Sequence, residues 1–400
     1  MIATARLTLP LFLFLNLVFT QNGWTIGVYF YYMSLVVAFF LLLQTKFSKI
    51  SIIIIPLMMA AKILEFNIPS IGIFNVILAG VLFFLVGLIT YGDKPQLIRR
   101  VLIFFLLLNI PIMLLQTSGA SPVFMYWNTD YAHSLEILDL SEVGTFKEIT
   151  QYPTLFTQID DLYYQIGQGR PSGLMPANNL LSVIIVFGLV MNLYLRRNGI
   201  INIGDIVVNA TVVISMSKLA LFVACFLYLS EIAVKSKSSN LIAWKNLFIL
   251  FLFYCIYYVF FPGILLYTFR LDSVLFSFGI RLIDLATTLG ADNLLSILAS
   301  SLEFYEASDF DEYGHTSGIA LAIDSFIFAP SLILLIYCYY KFKNRIIFVK
   351  NHYYNSYHFF VKYIISVFFV FSVIPSFFFS PLFVMILSIG FFPFLRAQHH

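Results

Sequence analysis

Long runs of apolar residues recur along the whole chain, separated by short polar stretches. Each run is long enough to cross about 30 Å of hydrocarbon as an α-helix. About twelve such runs are predicted as membrane spans, at 7–20, 24–43, 50–66, 70–91, 100–118, 173–195, 199–215, 218–234, 246–268, 317–340, 359–375 and 377–395. The pattern predicts an all-α polytopic membrane protein of about 12 transmembrane helices, a single integral membrane domain over residues 1–400.

The two longest connections, 119–172 and 269–316, are predicted to be large extracytoplasmic loops that contain amphipathic helices. Their aromatic and acidic residues do not suit a disordered segment. In the second loop, apolar residues recur every three or four positions, and a polar stripe runs opposite them: Ser273, Ser277, Arg281, Asp284 and Thr288. This spacing predicts an interfacial helix, which we expect to end at Gly290.

Charge orients the predicted bundle. Hydrophobic residues make up 60% of the 400 residues and charged residues only 11%, and most of the 23 Lys and Arg, from Arg6 to Arg396, fall on one side of the alternating spans. The positive-inside rule places that side, with both termini, in the cytoplasm. The basic balance therefore reflects cytoplasmic loops and does not predict a nucleic-acid partner.

Six basic residues fall elsewhere: Lys62, Lys147, Arg170, Lys218, Arg270 and Arg281. Lys62 lies near a span end and Lys147 in an acidic loop, where basic side chains are ordinary. The other four lie at or near external helix ends, and we expect them to form a cationic pocket at the outer membrane–water boundary. Such a pocket suits a phosphate or pyrophosphate. The alternative is that each cation pairs with a lipid headgroup or an external acid.

His315 lies directly before the tenth predicted span, on the external side, after an acidic run that ends at Glu312. Histidine titrates near neutral pH and suits proton transfer, although a histidine that hydrogen-bonds at a helix N-terminus is an equally good interpretation. No second His or Cys lies nearby, so no metal site is expected.

Four segments carry a family resemblance: Arg170-Pro-Ser-Gly followed by Pro176-Ala-Asn178-Asn179, then Ser215-Met-Ser217-Lys218, then Ser277-Phe-Gly-Ile-Arg281, and finally His315. Over about residues 165–320 the chain resembles the O-antigen polymerase and O-antigen ligase superfamily, the membrane glycosyltransferases of bacterial surface polysaccharide. It departs from the family pattern at Lys218, where the family often has Arg, and at Ala177, which splits the Pro-Asn pair.

The resemblance implies an O-antigen polymerase that joins undecaprenyl-pyrophosphate-linked repeat units at the periplasmic face of the bacterial inner membrane. The glycosyl transfer would be metal-independent and need no cofactor. The implied catalytic residues are His315, Arg281 and Arg170, and the implied substrate-binding residues are Lys218, Arg270, Asn178, Asn179, Ser217 and Glu312. The implied partners are lipid-linked oligosaccharides, membrane lipid and a chain-length regulator protein.

Two alternatives stay open at this point. An O-antigen ligase, which transfers finished glycan to the lipid A core, would use much the same residues. A lipid-linked oligosaccharide flippase or other transporter would favour ionisable residues in mid-span and two structurally repeated halves. The predicted spans are almost free of charge except near their ends, and the two large loops do not match as repeats.

Overall fold

The computed structural model describes residues 2–21, 25–45, 71–92, 95–117, 178–195, 202–233, 237–260, 346–349, 352–355 and 380–396, with short pieces at 52–54, 56–58, 60, 171, 173–175, 285–286 and 288–290. Its helices are α1 (Ile2–Gln21), α2 (Ile26–Leu43), α3 (Ile71–Val86), α4 (Pro95–Thr117), α5 (Asn178–Leu195), α6 (Ile203–Ile214), α7 (Lys218–Ala233), α8 (Lys237–Phe260) and α9 (Pro381–Arg396). A π-helix, Gly87–Tyr91, continues α3.

Three of the described helices are long and apolar enough to cross a membrane: Ile26–Leu43 in α2, Pro95–Leu115 in α4 and Leu241–Phe260 in α8. The described part of the chain is thus mainly helical, with three helices that suit a multi-pass membrane protein. The predicted spans 317–340 and 359–375 lie outside the described residues, and 50–66 is described only in pieces. The count of about twelve spans therefore stays a prediction.

One contiguous cluster of buried apolar side chains joins these helices. Helices α1 and α2 form a hairpin, and α9 packs on α3 and the π-helix, whereas α5, α6, α7 and α8 pack with one another. Helix α4 contacts α5 and α6 and also reaches α1, where the rings of Phe14 and Phe105 stack with centroids 4.7 Å apart. Apolar burial of this kind is nondirectional, so polar contacts decide how the helices are paired.

Four side-chain hydrogen bonds between distant segments show which helix ends meet. They join Tyr91 to Arg6, Arg99 to Asn192, Asn109 to Leu174 and Ser182 to Ser217. The first two bonds link ends that the sequence topology assigns to the cytoplasmic side, and the last two link mid-span residues of α4 and α5 to segments assigned to the outer side. The relative directions of these helices therefore agree with the alternating topology, while the side that faces the cytoplasm stays a prediction from charge.

Proline in α1 explains one of these bonds. Pro10 has no N–H, so the carbonyl of Arg6, four residues earlier, lacks its usual helical donor. The Tyr91 hydroxyl donates to that carbonyl oxygen at 2.8 Å. A neighbouring helix thus satisfies a backbone group that proline frees inside a bundle.

A β-hairpin interrupts the helical pattern. Strands β1 (Ile346–Val349) and β2 (His352–Asn355) pair antiparallel, with Ile346 opposite Asn355 and Val349 opposite His352. The charge pattern predicts only a cytoplasmic connection here, although β-branched and aromatic residues around a two-residue loop are a strand signal.

A helical turn ends at Gly290, where the predicted interfacial helix was expected to end. The Leu289 N–H donates to the Leu285 carbonyl at 3.0 Å, and Gly290 has φ +64°, the left-handed conformation common just after a helix. The rest of that predicted helix, and nearly all of both large loops, lie outside the described residues.

Candidate functional site

The turn between α6 and α7 is built from two serines and a strained methionine. The Ser215 hydroxyl donates to the Val212 carbonyl at 3.1 Å, and Met216, fully buried, has φ +51°. A left-handed conformation costs a non-glycine residue of order 1–3 kcal/mol, so the surrounding packing must hold it. Ser217 then caps α7 by accepting from the Ala220 N–H at 3.1 Å. Lys218, partly exposed, is consequently the first residue of α7.

A hydrogen bond of 2.5 Å between the hydroxyls of Ser182 and Ser217 ties this turn to α5. Both side chains are buried. Because buried hydroxyls are costly without a partner, the pair fixes how α5 faces the start of α7. Ser182 lies one helical turn after Asn178 and Asn179, the first residues of α5. Two of the sequence segments singled out above therefore meet at one end of the bundle.

The piece of the Arg170-Pro-Ser-Gly segment that the structure describes packs on α4. The Asn109 side chain donates to the Phe105 carbonyl at 2.8 Å and accepts from the Leu174 N–H at 2.7 Å. Gly173 has φ +64°, and a Cβ there would lie 2.0 Å from the Asn109 side-chain oxygen. Only glycine allows this approach, which explains the glycine of the segment in structural terms.

The sequence-predicted site residues divide into two groups. Lys218, Ser217, Asn178 and Asn179 lie at the junction of α5, α6 and α7. Arg170, Arg270, Arg281, Glu312 and His315 lie outside the described residues. The predicted cationic pocket and its histidine thus stay a prediction.

Helix geometry gives the depth of the junction. Ser182 lies about 20 Å along α5 from Leu195, and Asn109 lies about 20 Å along α4 from Pro95, at 1.5 Å per residue. The sequence topology places Leu195 and Pro95 at the cytoplasmic side, and a bilayer core is about 30 Å thick. With the predicted topology, we expect the junction to lie about 10 Å inside the outer boundary, where buried polar groups need partners, as Ser182 and Ser217 have.

A second polar cluster, not recognised in the sequence, lies toward the opposite end. The Arg99 side chain donates to the Asn192 side-chain oxygen through Nε at 3.0 Å and Nη2 at 2.7 Å. Asn192 in turn donates to Asp205 Oδ1 at 2.6 Å. Asp205, only 1% exposed, also forms a capping box with Asn202 at the start of α6. Gly204 is pressed against the same groups, since a Cβ would lie 2.5 Å from the Asn192 oxygen.

Further polar side chains continue this cluster across α6, α7 and α8. Asn209 donates to the Asn246 side-chain oxygen at 3.0 Å and accepts from the Tyr228 hydroxyl at 3.0 Å. All three side chains are buried. We call the seven side chains, Arg99, Asn192, Asn202, Asp205, Asn209, Tyr228 and Asn246, the inner polar network. Hydrogen bonds between helices act as specific contacts where apolar packing is not selective.

Metal ligands do not cluster among the described residues: no group of three or more His, Cys, Asp and Glu side chains there would hold a metal ion. Most of the acidic residues and His315 lie in loop segments outside the described residues, so metal-independent chemistry stays an expectation. What the described junction offers is Lys218, a partly exposed cation at the first position of α7, which suits binding of an anionic ligand.

No protein-family model, curated protein or solved structure matches the chain. The resemblance to the O-antigen polymerase and ligase superfamily therefore depends on the residues quoted above and on their order along the chain.

Proposed function

We propose that the chain is an O-antigen polymerase of the bacterial inner membrane, which joins repeat units carried on undecaprenyl pyrophosphate at the periplasmic face. The observation that carries the proposal is the Ser182–Ser217 hydrogen bond. It brings the start of α5, with Asn178 and Asn179, against the turn that precedes Lys218. The segments resemble two motifs of one glycosyltransferase family, and their proximity supports a shared site.

The proposed reaction is a displacement at the anomeric carbon of the donor glycan. A hydroxyl of the acceptor glycan forms the new bond to that carbon, the bond from the carbon to the pyrophosphate oxygen breaks, and undecaprenyl pyrophosphate leaves. His315 takes the hydroxyl proton or orients the hydroxyl. Arg170 and Arg281 stabilise the charge that develops on the leaving group. Because the leaving group is already activated, positioning and charge stabilisation supply the needed catalysis.

The remaining proposed residues hold the two glycans and the pyrophosphate. Lys218, at the first position of α7, adds a cation beside the positive end of a helix, and Arg270 adds a second cation. Asn178, Asn179 and Ser217 supply hydrogen bonds, and Glu312 contacts sugar hydroxyls. A junction sunk about 10 Å below the outer boundary would receive the pyrophosphate while the prenyl chain stays among the lipid tails.

The test is the lipopolysaccharide banding pattern of a strain that lacks this gene, complemented with wild type or single variants. Lys218→Ala, Arg281→Ala and His315→Ala are expected to give lipid A core capped by a single repeat unit, whereas wild type restores the ladder. Lys218→Arg keeps the charge and is expected to retain the ladder. Lys245→Ala, a basic residue of α8 on the predicted cytoplasmic side, is the matched control.

Two other lipopolysaccharide banding patterns would assign a different function. Bare core with polymer accumulating on undecaprenyl pyrophosphate would assign a ligase. Bare core with single lipid-linked units trapped on the cytoplasmic face would assign a flippase. If all three alanine variants restore the ladder, Lys218, Arg281 and His315 are not required for polymerisation.

A further inference from the structure

Two buried polar atoms without a hydrogen-bond partner, Arg6 Nε and Thr90 Oγ1, belong to two segments that meet at one end of the described helices. The Tyr91 hydroxyl bonds to the Arg6 carbonyl at 2.8 Å, so the start of α1 and the end of the π-helix are in contact. Leaving a buried polar group unpaired costs about 1–3 kcal/mol. Two such groups on contacting segments call for an additional partner.

Thr90 differs from the other buried serine and threonine hydroxyls of the described helices, which all have partners. Thr211 donates to the carbonyl of Val207 at 2.6 Å, and Ser388 donates to that of Met385 at 2.7 Å. Thr90, only 4% exposed, has no such bond. It lies in the π-helix, whose wider turn shifts the preceding carbonyls away from their α-helical positions, and π-helical turns frequently mark functional sites.

The chemistry of the two groups selects the ligand. An Arg Nε–H only donates, whereas a Thr hydroxyl donates or accepts. An oxygen-rich anion can accept from both, and guanidinium pairs with phosphate in a bidentate manner. Among the described residues no side chain accepts a hydrogen bond from Arg6 Nε. A phosphate group therefore fits these donors.

The surroundings indicate where the phosphate comes from. Leu7 and Leu11, one and five residues after Arg6, are 51% and 41% exposed, so an apolar stripe of α1 beside the arginine faces outward, as expected of a lipid-facing helix surface. The sequence topology assigns this end to the cytoplasmic side, where anionic lipids create a negative surface potential. Arg100, exposed at the start of α4, adds positive charge on the same predicted side.

We propose that Arg6 and Thr90 bind the phosphate of an anionic phospholipid of the cytoplasmic leaflet. The lipid tails lie along the exposed leucines of α1, and the phosphate enters between α1 and the π-helix. This site is separate from the proposed polymerase chemistry, which belongs to the opposite side, so either proposal can fail without the other.

The test measures the thermal unfolding midpoint of the purified full-length protein in detergent while phosphatidylglycerol, phosphatidylcholine or inorganic phosphate is added. Phosphatidylglycerol is expected to raise the midpoint of wild type in a saturable way, and phosphatidylcholine is not. Arg6→Gln should weaken the apparent phosphatidylglycerol affinity about tenfold, the loss of a charge-assisted contact. Arg100→Gln is the matched control and should respond as wild type does.

A second variant, Thr90→Val, tests the same site if Arg6→Gln does not fold. Replacing an unpaired buried hydroxyl by a methyl group should raise or preserve the lipid-free midpoint and reduce the response to phosphatidylglycerol. An equal response to inorganic phosphate would overturn the lipid assignment. The site itself is refuted if Arg6→Gln and Thr90→Val respond to phosphatidylglycerol as wild type does, or if Thr90→Val lowers the lipid-free midpoint.

Discussion

Asn192 is the link of the inner polar network at which a single substitution should have the largest effect. Its side chain accepts twice from Arg99 and donates once to Asp205, at distances of 2.6 to 3.0 Å. Leucine has the same branched arrangement of four side-chain heavy atoms but can make none of these bonds. Asn192→Leu would leave the half-buried Arg99 and the buried Asp205 each short of a partner.

The magnitude follows from the two groups left behind. Each unsatisfied buried polar group costs about 1–3 kcal/mol, with charged groups at the upper end, so we expect Asn192→Leu to destabilise the fold by about 2–5 kcal/mol. Arg99→Met alone removes one side of the same contact. Because the two changes share that contact, the double variant should cost less than the sum of the singles by about 1.5–3 kcal/mol.

The assay is unfolding in mixed micelles of a mild detergent and sodium dodecyl sulfate, followed by the fluorescence of the 3 tryptophans. Arg100→Met, the adjacent exposed arginine, provides the control cycle with Asn192→Leu and should be additive within about 0.5 kcal/mol. If the Arg99 cycle is equally additive, the hydrogen bonds between α4 and α5 contribute nothing to stability and the reasoning is refuted.

Three further predictions use the same assay. Tyr91→Phe removes the donor to the Arg6 carbonyl and should cost about 1–3 kcal/mol; an unchanged midpoint would mean that another group satisfies this carbonyl. Gly173→Ala, at φ +64° and against an asparagine side chain, should cost at least about 1 kcal/mol and shorten the polysaccharide ladder in cells; wild-type stability would contradict the packing of that turn. Gly204→Ala should destabilise the protein, because a Cβ there would lie 2.5 Å from a side-chain oxygen of the inner polar network. Gly80 has open space around it, so Gly80→Ala should stabilise α3 by about 0.5–1 kcal/mol. A Gly204→Ala variant more stable than Gly80→Ala would contradict both predictions.

The approximate positions of the helices could be predicted from the sequence, because a membrane helix is a long run of apolar residues whose averaged hydropathy is high. The predicted span 24–43 corresponds to α2 at Ile26–Leu43, and the predicted 218–234 to α7 at Lys218–Ala233. The predicted 199–215 was too long, because Asn202 caps α6 at one end and Ser215 ends it at the other. Capping is local side-chain chemistry that a hydropathy average does not resolve.

The hydrogen-bond partners of the buried polar residues could not be predicted from the sequence. Asn192, Asp205 and Asn246 each interrupt or border an apolar run as a single polar residue, and nothing in the spacing says which of them meet. Pairing depends on how helices pack, which is a tertiary property. At the outer junction, sequence motifs singled out Ser217 and Lys218, but the partner Ser182 carries no motif and emerged only from the packing of α5.

The short helix α6 has a consequence for how the protein enters the membrane. Its 12 residues extend about 18 Å, too little to cross the hydrocarbon alone, and polar turns flank both ends. A segment of this kind gains little from partitioning into lipid by itself. Its hydrogen-bond partners lie on α5, α7 and α8, so biogenesis should release these helices from the translocation machinery as a group. Until Asn246 of α8 has been synthesised, α6 lacks one of its hydrogen-bond partners. We therefore expect the nascent chain to be least stable in the membrane when the ribosome pauses before that point.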